Sequence, residues 1–342
     1  MKKVFYILFF TTIVYLISKF FLFGFNDTND NNFQNNFVQG YKVFALNLPS
    51  NIDFAGEKVP IKNFEVRESL DKELLQNVYY QSNTLLLFKR ANRWFRIIEP
   101  ILKKYNIPDD FKFIALVESN LTNVTSPAGA TGFWQLIEAT AKLYDLEINE
   151  EVDERYNVEK STEAACKYFI ESYRNFKNWT LVAASYNMGI SGIKKQLEVQ
   201  QVDNYYDLLL NQETSRYVFR ILAIKEIFSH PRNYGYHIRK KDLYPFIPTY
   251  KIELSKGEND LALWAKENKV NYKILKYFNP WLRKNILSNK DSKIYFISLP
   301  LNNFNYNESL IDENQDELID HFLFTSDNLK KDSITGAEDA GR

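Results

Sequence analysis

Glu118 ends the apolar run Phe113-Ile114-Ala115-Leu116-Val117 and is followed by Ser119-Asn120 and a glycine-bearing loop. A carboxyl beside such a run loses water, which raises its pKa and makes it a proton donor near neutral pH. Three further groups suit a hydroxyl-rich substrate. In the loop ending Gly132-Phe133-Trp134-Gln135, Gln135 can donate and accept, which fits sugar hydroxyls and acetamido groups, and Phe133 or Trp134 offers a stacking face. Tyr186-Asn187 is a polar pair inside an otherwise apolar helix that breaks at Gly189, and polar groups so placed need partners. Tyr217 opens an apolar helix just after Glu213-Thr214. Each group also has a plainer structural reading. Glu118-Ser119-Asn120 reads as a solvated helix end, Phe133 and Trp134 as core aromatics, Asn187 as a satisfied structural amide, Tyr217 as core and Glu213 as a helix-cap residue.

Composition removes several other chemistries. The 342 residues hold one cysteine, Cys166, and three histidines. An internal disulfide is excluded, a Cys/His zinc site is not expected, and neither metal nor cofactor is called for. No Gly-x-Ser-x-Gly elbow is present. The 43 basic and 43 acidic residues give a net charge of zero, which argues against nucleic acid as the main partner.

The elements that must position these residues are helices. Residues 1–25 open with Lys2-Lys3 and continue as an apolar run, read as an export signal or an uncleaved membrane anchor; at ~20 apolar residues the anchor is favoured. Lys2 and Lys3 would keep the start in the cytoplasm and the rest outside, facing the periplasm, with a cleaved secreted form as the alternative. Residues 26–62 read as a polar linker and irregular lead-in. Over 63–240 apolar residues recur at three- and four-residue spacing, with Ser69 or Asp71 as the first cap, an Asp after Pro108 capping the helix that carries Glu118, and a helix over 131–146. Residues 248–300 read strand, helix, helix, strand, and 301–342 form an acidic, mobile tail. The expected fold class is mainly α: an all-α catalytic domain with a core at about 100–235, followed by a small α+β module.

Four motifs in this order resemble the soluble lytic transglycosylase, or goose-lysozyme-like, family: Glu118-Ser119, Gly132-Phe133-Trp134-Gln135, Ser185-Tyr186-Asn187, and Glu213-Thr214 with Tyr217. The resemblance covers about 100–235, and residues 59–95 look like the helical lead-in of its membrane-bound members. It implies a lysozyme-like fold. Ser185 stands where alanine is usual, Met188 follows the Asn, and the lipid-anchoring cysteine of the membrane-bound members is missing. Residues 250–300 resemble a diverged LysM module, with Gly257-Glu258-Asn259-Asp260-Leu261 in place of its usual Gly-Asp-Thr-Leu turn.

Most glycoside hydrolases use two carboxylates, and this sequence offers one well-placed candidate. The resemblance implies a reaction that needs only one. Glu118 would act as acid and then base on the bond between N-acetylmuramic acid and N-acetylglucosamine in peptidoglycan, and the substrate's acetamido group would assist. Ser119 would orient Glu118 or the acetamido group, Gln135, Tyr186 and Asn187 would contact glycan, and Tyr217 would bond near Glu118. A hydrolytic muramidase or chitinase-like enzyme on the same fold, and a non-catalytic wall-binding protein, are the alternatives.

Overall fold

The computed structural model describes residues 40, 43–301 and 318–319. The expected N-terminal anchor, most of the linker and most of the acidic tail lie outside the described residues. Among the described residues no helix is long and apolar enough to cross a membrane. The chain divides into two compact units, Met1–Asn47 and Leu48–Arg342, and the following concerns the second.

A two-residue hairpin, β1 (Asp53–Phe54) with β2 (Glu57–Lys58), stands within the segment read as irregular. It turns through Ala55 and Gly56, both at positive φ. The helical body follows: α1 (Phe64–Tyr79), α2 (Gln81–Lys104), a 3-10 turn (Asp109–Phe111), α3 (Lys112–Ser119), α4 (Glu138–Leu143), α5 (Val158–Phe176), α6 (Trp179–Met188), α7 (Ile190–Gln200) and α8 (Gln212–Ser229). Helix α1 begins at Phe64 behind Asn63, about two turns before the expected caps Ser69 and Asp71. The cap position before the 3-10 turn is Pro108, whose ring carries no acceptor, so the expected Asp cap is absent and both aspartates pair elsewhere. Asp109 accepts from Lys112 at 2.5 Å, and Asp110 accepts from the Ala55 amide and the Lys225 ammonium, each at 2.6 Å.

Helix α3 is the centre of the body. Its apolar residues Phe113 to Val117 are all buried, as a run hydrophobic on every side requires. Phe113 meets Phe95 of α2 and Phe228 of α8 edge-on, at 5.9 and 5.6 Å between ring centroids. Lys112 at its first position is fully buried. Its ammonium bonds Glu99 at 2.6 Å as well as Asp109, and lies over the Phe95 ring. Burial outweighs the pull of Lys112 and pushes the Glu99 carboxyl up to about 7. Without Lys112 the Glu99 pKa rises further and the carboxyl takes up a proton at pH 7. Lys112→Met is therefore expected to destabilise the fold more at pH 9, where ionised Glu99 has lost its cation, than at pH 5, where Glu99 is neutral in both proteins; urea unfolding at both pH values measures it.

The C-terminal module has the expected strand-helix-helix-strand order: β3 (Thr249–Leu254), α9 (Leu261–Glu267), α10 (Tyr272–Phe278) and β4 (Tyr295–Pro300). The strands pair antiparallel with Thr249 opposite Pro300 and Leu254 opposite Tyr295. Its core is Leu261, Trp264, Leu275, Trp281, Leu282, Ile297 and Leu299, and one residue of the helical body, Val152, is buried within it. The neighbouring backbone is docked too: the Asp153 amide donates to the Trp281 carbonyl at 2.9 Å, and Glu151 accepts from both the amide and the hydroxyl of Ser288. Body and module thus share a core. In the segment read as a mobile tail, Leu318 bridges Arg239, and the Ile319 amide donates to the Ile238 carbonyl at 2.8 Å.

Candidate active site

Helix α3 stops after Ser119 because Asn120 turns left-handed, with φ 53°, and Leu121 repeats that conformation at φ 52°. Two side chains fix this turn. Arg90 donates to the Asn120 carbonyl at 3.2 Å, and the Asn120 amide donates to Asn83 at 3.1 Å. Glu118, the one residue of α3 that is not fully buried, thus stands at the end of a helix whose other side chains anchor it.

The phenol of Tyr217, itself buried, donates to Glu118 Oε1 at 2.5 Å. Burial pushes the Glu118 carboxyl up to about 7. The Tyr217 hydrogen bond and the Arg220 charge pull the other way, and the Glu213 charge adds slightly to the rise. Arg220 also donates to the Val117 carbonyl at 3.1 Å, which caps the end of α3. The result is a carboxyl that can change protonation state near neutral pH with a donor already aimed at its anion.

The 131–137 segment is not the start of a helix. Thr131 pairs with Thr125 and with Leu136, and Gln135 is left-handed at φ 47°, so the segment is a tight loop and helix α4 covers only Glu138–Leu143. Its aromatics are core and not stacking faces. Trp134 is wholly buried and its indole donates to Thr162 at 2.8 Å, and Phe133 packs edge-on against Trp94. Both carbonyls of that pair serve the site. Ser119, buried, donates to the Phe133 carbonyl at 2.8 Å, and Tyr186 donates to the Trp134 carbonyl at 2.7 Å. Ser119 and Tyr186 therefore join α3 and α6 to the loop, and each commits its hydroxyl proton to a backbone carbonyl. The Gln135 side-chain amide likewise donates back to the Val124 and Gly132 carbonyls, at 3.0 and 2.8 Å.

Asn187, the last polar residue before α6 ends, links to α8. It accepts from the Thr214 hydroxyl at 2.7 Å and donates to Glu213 at 3.0 Å. The Gly189 break lies where expected, with φ 86°. The arrangement also contains groups that the sequence reading missed. Arg155 is held bidentately by Asp153, with contacts of 3.0 and 2.8 Å, and reaches the Gly129 and Leu136 carbonyls, pinning the loop from behind. Arg220 was missed for the same reason: nothing in its own sequence neighbourhood distinguishes it from a surface arginine.

Tyr217→Phe isolates the phenol. The hydrogen bond stabilises the Glu118 anion, so its loss raises the carboxyl pKa further. A bond to a charged group is worth about 1.5–3 kcal/mol. The variant is expected to lose about 10- to 100-fold in turnover, with the alkaline limb of its pH profile shifted upward. A pH series of kcat/KM reads both.

A buried acid with a phenol bonded to it can give and take a proton near neutral pH. Residues 96–208 match the Transglycosylase SLT domain, and residues 250–303 match the Soluble lytic transglycosylase C-terminal LysM-like domain. The two matched segments fall on the helical body and on the C-terminal module; Glu213 and Tyr217 lie beyond the matched SLT segment. Membrane-bound lytic murein transglycosylase D of Escherichia coli K12 is 30% identical over 198 residues, which is 55% of this chain and 43% of that protein. The chain therefore spans under half the length of this curated relative. Among solved structures, the 70 kDa soluble lytic transglycosylase of Escherichia coli is 23% identical, over 37% of this chain and 23% of that one, with a TM-score of 0.32. Lytic transglycosylase Slt of Pseudomonas aeruginosa is 17% identical, over 38% and 22%, with a TM-score of 0.31.

Proposed function

We propose that the chain is a peptidoglycan lytic transglycosylase. It would cleave the β-1,4 bond between N-acetylmuramic acid and N-acetylglucosamine without water and leave 1,6-anhydro ends. The observation that carries this reading is the Glu118 carboxyl, pushed up to about 7 by burial and bonded by Tyr217. Protonated Glu118 gives its proton to the glycosidic oxygen as the C1–O bond breaks, and the acetamido oxygen of the muramic residue bonds C1. Glu118, now ionised and held by the Tyr217 phenol, takes the proton of the C6 hydroxyl. O6 then attacks C1 and displaces the acetamido oxygen, which returns the carboxyl to its starting form.

One carboxyl serves both steps. Glu213 is the other acid of the site, and its carboxylate is engaged by Asn187. Ser119, Gln135, Tyr186 and Asn187 shape the cleft wall, with glycan contact assigned to the faces of Gln135, Tyr186 and Asn187 that their hydrogen bonds leave over. Export and attachment to the membrane through the N-terminal apolar run, facing the periplasm, complete the reading.

The test is mass spectrometry of muropeptides released from purified sacculi. Anhydro-muramic ends are expected, and reducing ends would replace this reading with a hydrolytic muramidase. The free enzyme must begin protonated, so kcat/KM is expected to be level below the Glu118 pKa and to fall tenfold per pH unit above about 7.

A further inference from the structure

Residues 151–156 lie between the C-terminal module and the loop that ends at Gln135, and they bind both. Toward the module, Glu151-Val152-Asp153 runs antiparallel to Trp281-Leu282-Arg283. Val152 bridges Leu282, the Arg283 amide donates to the Glu151 carbonyl at 2.7 Å, and the Asp153 amide donates to the Trp281 carbonyl at 2.9 Å. Toward the loop, two lines leave this stretch. The Asp153 carboxylate holds Arg155, whose guanidinium donates to the Gly129 and Leu136 carbonyls. Tyr156 shares a hydrogen bond with the Thr125 hydroxyl at 2.9 Å, and Thr125 in turn pairs with Thr131.

One side chain crosses from the module to the second line directly. The Arg283 guanidinium lies over the Tyr156 ring, 4.0 Å from its centroid, and is oriented by a bond to the Pro280 carbonyl at 2.8 Å. From Thr125 the path to the acid is short. The carbonyl of Val124, the preceding residue, accepts from the Gly132 amide and from the Gln135 side chain, each at 3.0 Å. The next two residues, Phe133 and Trp134, present the carbonyls that Ser119 and Tyr186 hold, and Ser119 adjoins Glu118. Residues 124–136 contain only isolated bridges and turns. A segment without a helix or a ladder of its own takes its position from such ties.

From this geometry we infer that the C-terminal module positions the loop beside Glu118, with Arg283 and Tyr156 as positioning residues for the reaction; this rests on the reading that the chain cleaves glycan at Glu118. The module acts here by touching protein, so a substrate too short to reach it still feels the effect. The test uses the full chain carrying Arg283→Ala, a change at an exposed side chain. Exchange of the Thr131, Gly132 and Leu136 amides, all bonded within the loop, is expected to quicken about fivefold, the size of one cation–ring contact, while amides of α8 keep their rates. On a soluble tetrasaccharide of alternating N-acetylglucosamine and N-acetylmuramic acid, kcat should fall about fivefold with KM unchanged. Arg283→Lys keeps a cation for the ring and should recover most of both effects. Lys284→Ala removes a different pair between module and body, with Glu150, and should leave both readouts at their parent values. Loop exchange unchanged in Arg283→Ala, exchange that quickens equally in α8, or a loss seen only as a higher KM on sacculi would overturn the assignment. Reducing ends, or no cleavage by the parent chain, would overturn the proposed reaction and leave the exchange result to decide the role of Arg283, so the two failures are distinguishable.

Discussion

Glu118→Gln is expected to abolish glycan cleavage while making the protein more stable at alkaline pH. The two effects share one cause. Burial holds the carboxyl at about 7 against an ordinary value of 4.5. Glutamine keeps the shape and can still accept the Tyr217 hydrogen bond, but it has no proton to give and cannot take one from the C6 hydroxyl. A single acid or base contributes about 10²- to 10⁴-fold. Because Glu118 is assigned both tasks, a loss at the upper end of that range is expected, read as muropeptide release per enzyme.

The stability effect follows from the sign of the shift. The folded protein binds this proton more tightly than the unfolded chain does. The stability contributed by the protonated form is therefore fully present below pH 4.5 and is lost as pH rises through about 7. A shift of this size corresponds to about 3 kcal/mol as an upper bound. Glutamine is neutral throughout. Denaturant midpoints of the two proteins should coincide near pH 4.5 and separate in favour of Glu118→Gln by pH 8. Equal stability at both pH values, with activity lost, would mean that the carboxyl is solvated and that its proposed protonation is wrong.

The helical body was legible because its helices are amphipathic or, like α3, apolar on every side. The end of α3 at Glu118-Ser119 and the break at Gly189 could be read from the residues themselves. The 131–146 segment misled because Phe133, Leu136 and Ala141 have helical spacing, while Gly132 and Gln135 take left-handed conformations that a helix cannot contain. Side-chain pairing overrode the cap signal at Asp109 and Asp110, which bind Lys112 one turn on and Lys225 far along the chain in place of helix amides. The hydroxyls of Ser119 and Tyr186, read from sequence as orienting Glu118 and contacting glycan, hold the carbonyls of Phe133 and Trp134. Arg155 and Arg220 were not legible at all, because each acts on backbone carbonyls distant in sequence, at Gly129 and Val117. Val152, an ordinary loop valine in sequence, proves to be core of a different module.

Gly132 and Gly129 offer a controlled comparison within one loop. Both are left-handed, at φ 80° and 82°. A Cβ on Gly129 would meet nothing within 4 Å, whereas one on Gly132 would stand 2.1 Å from the backbone carbonyl oxygen of Arg155. Gly129→Ala should therefore cost only the conformational term, about 1 kcal/mol. Gly132→Ala carries the same term plus a clash with backbone that cannot rotate away, and overpacking of this kind costs about 1–3 kcal/mol more. The carbonyl in the way belongs to the residue that grips the loop. Any relief moves Arg155 relative to the Gly129 and Leu136 carbonyls, and with them the Trp134 and Phe133 carbonyls on which Tyr186 and Ser119 depend. Gly132→Ala is thus expected to lose about 2–4 kcal/mol in denaturant unfolding and at least tenfold in activity, against near-normal turnover for Gly129→Ala. If the two alanine variants behaved alike, the close packing of Gly132 on Arg155 would not be what fixes the loop, and the positioning of Glu118 would have to come from α3 and Tyr217 alone.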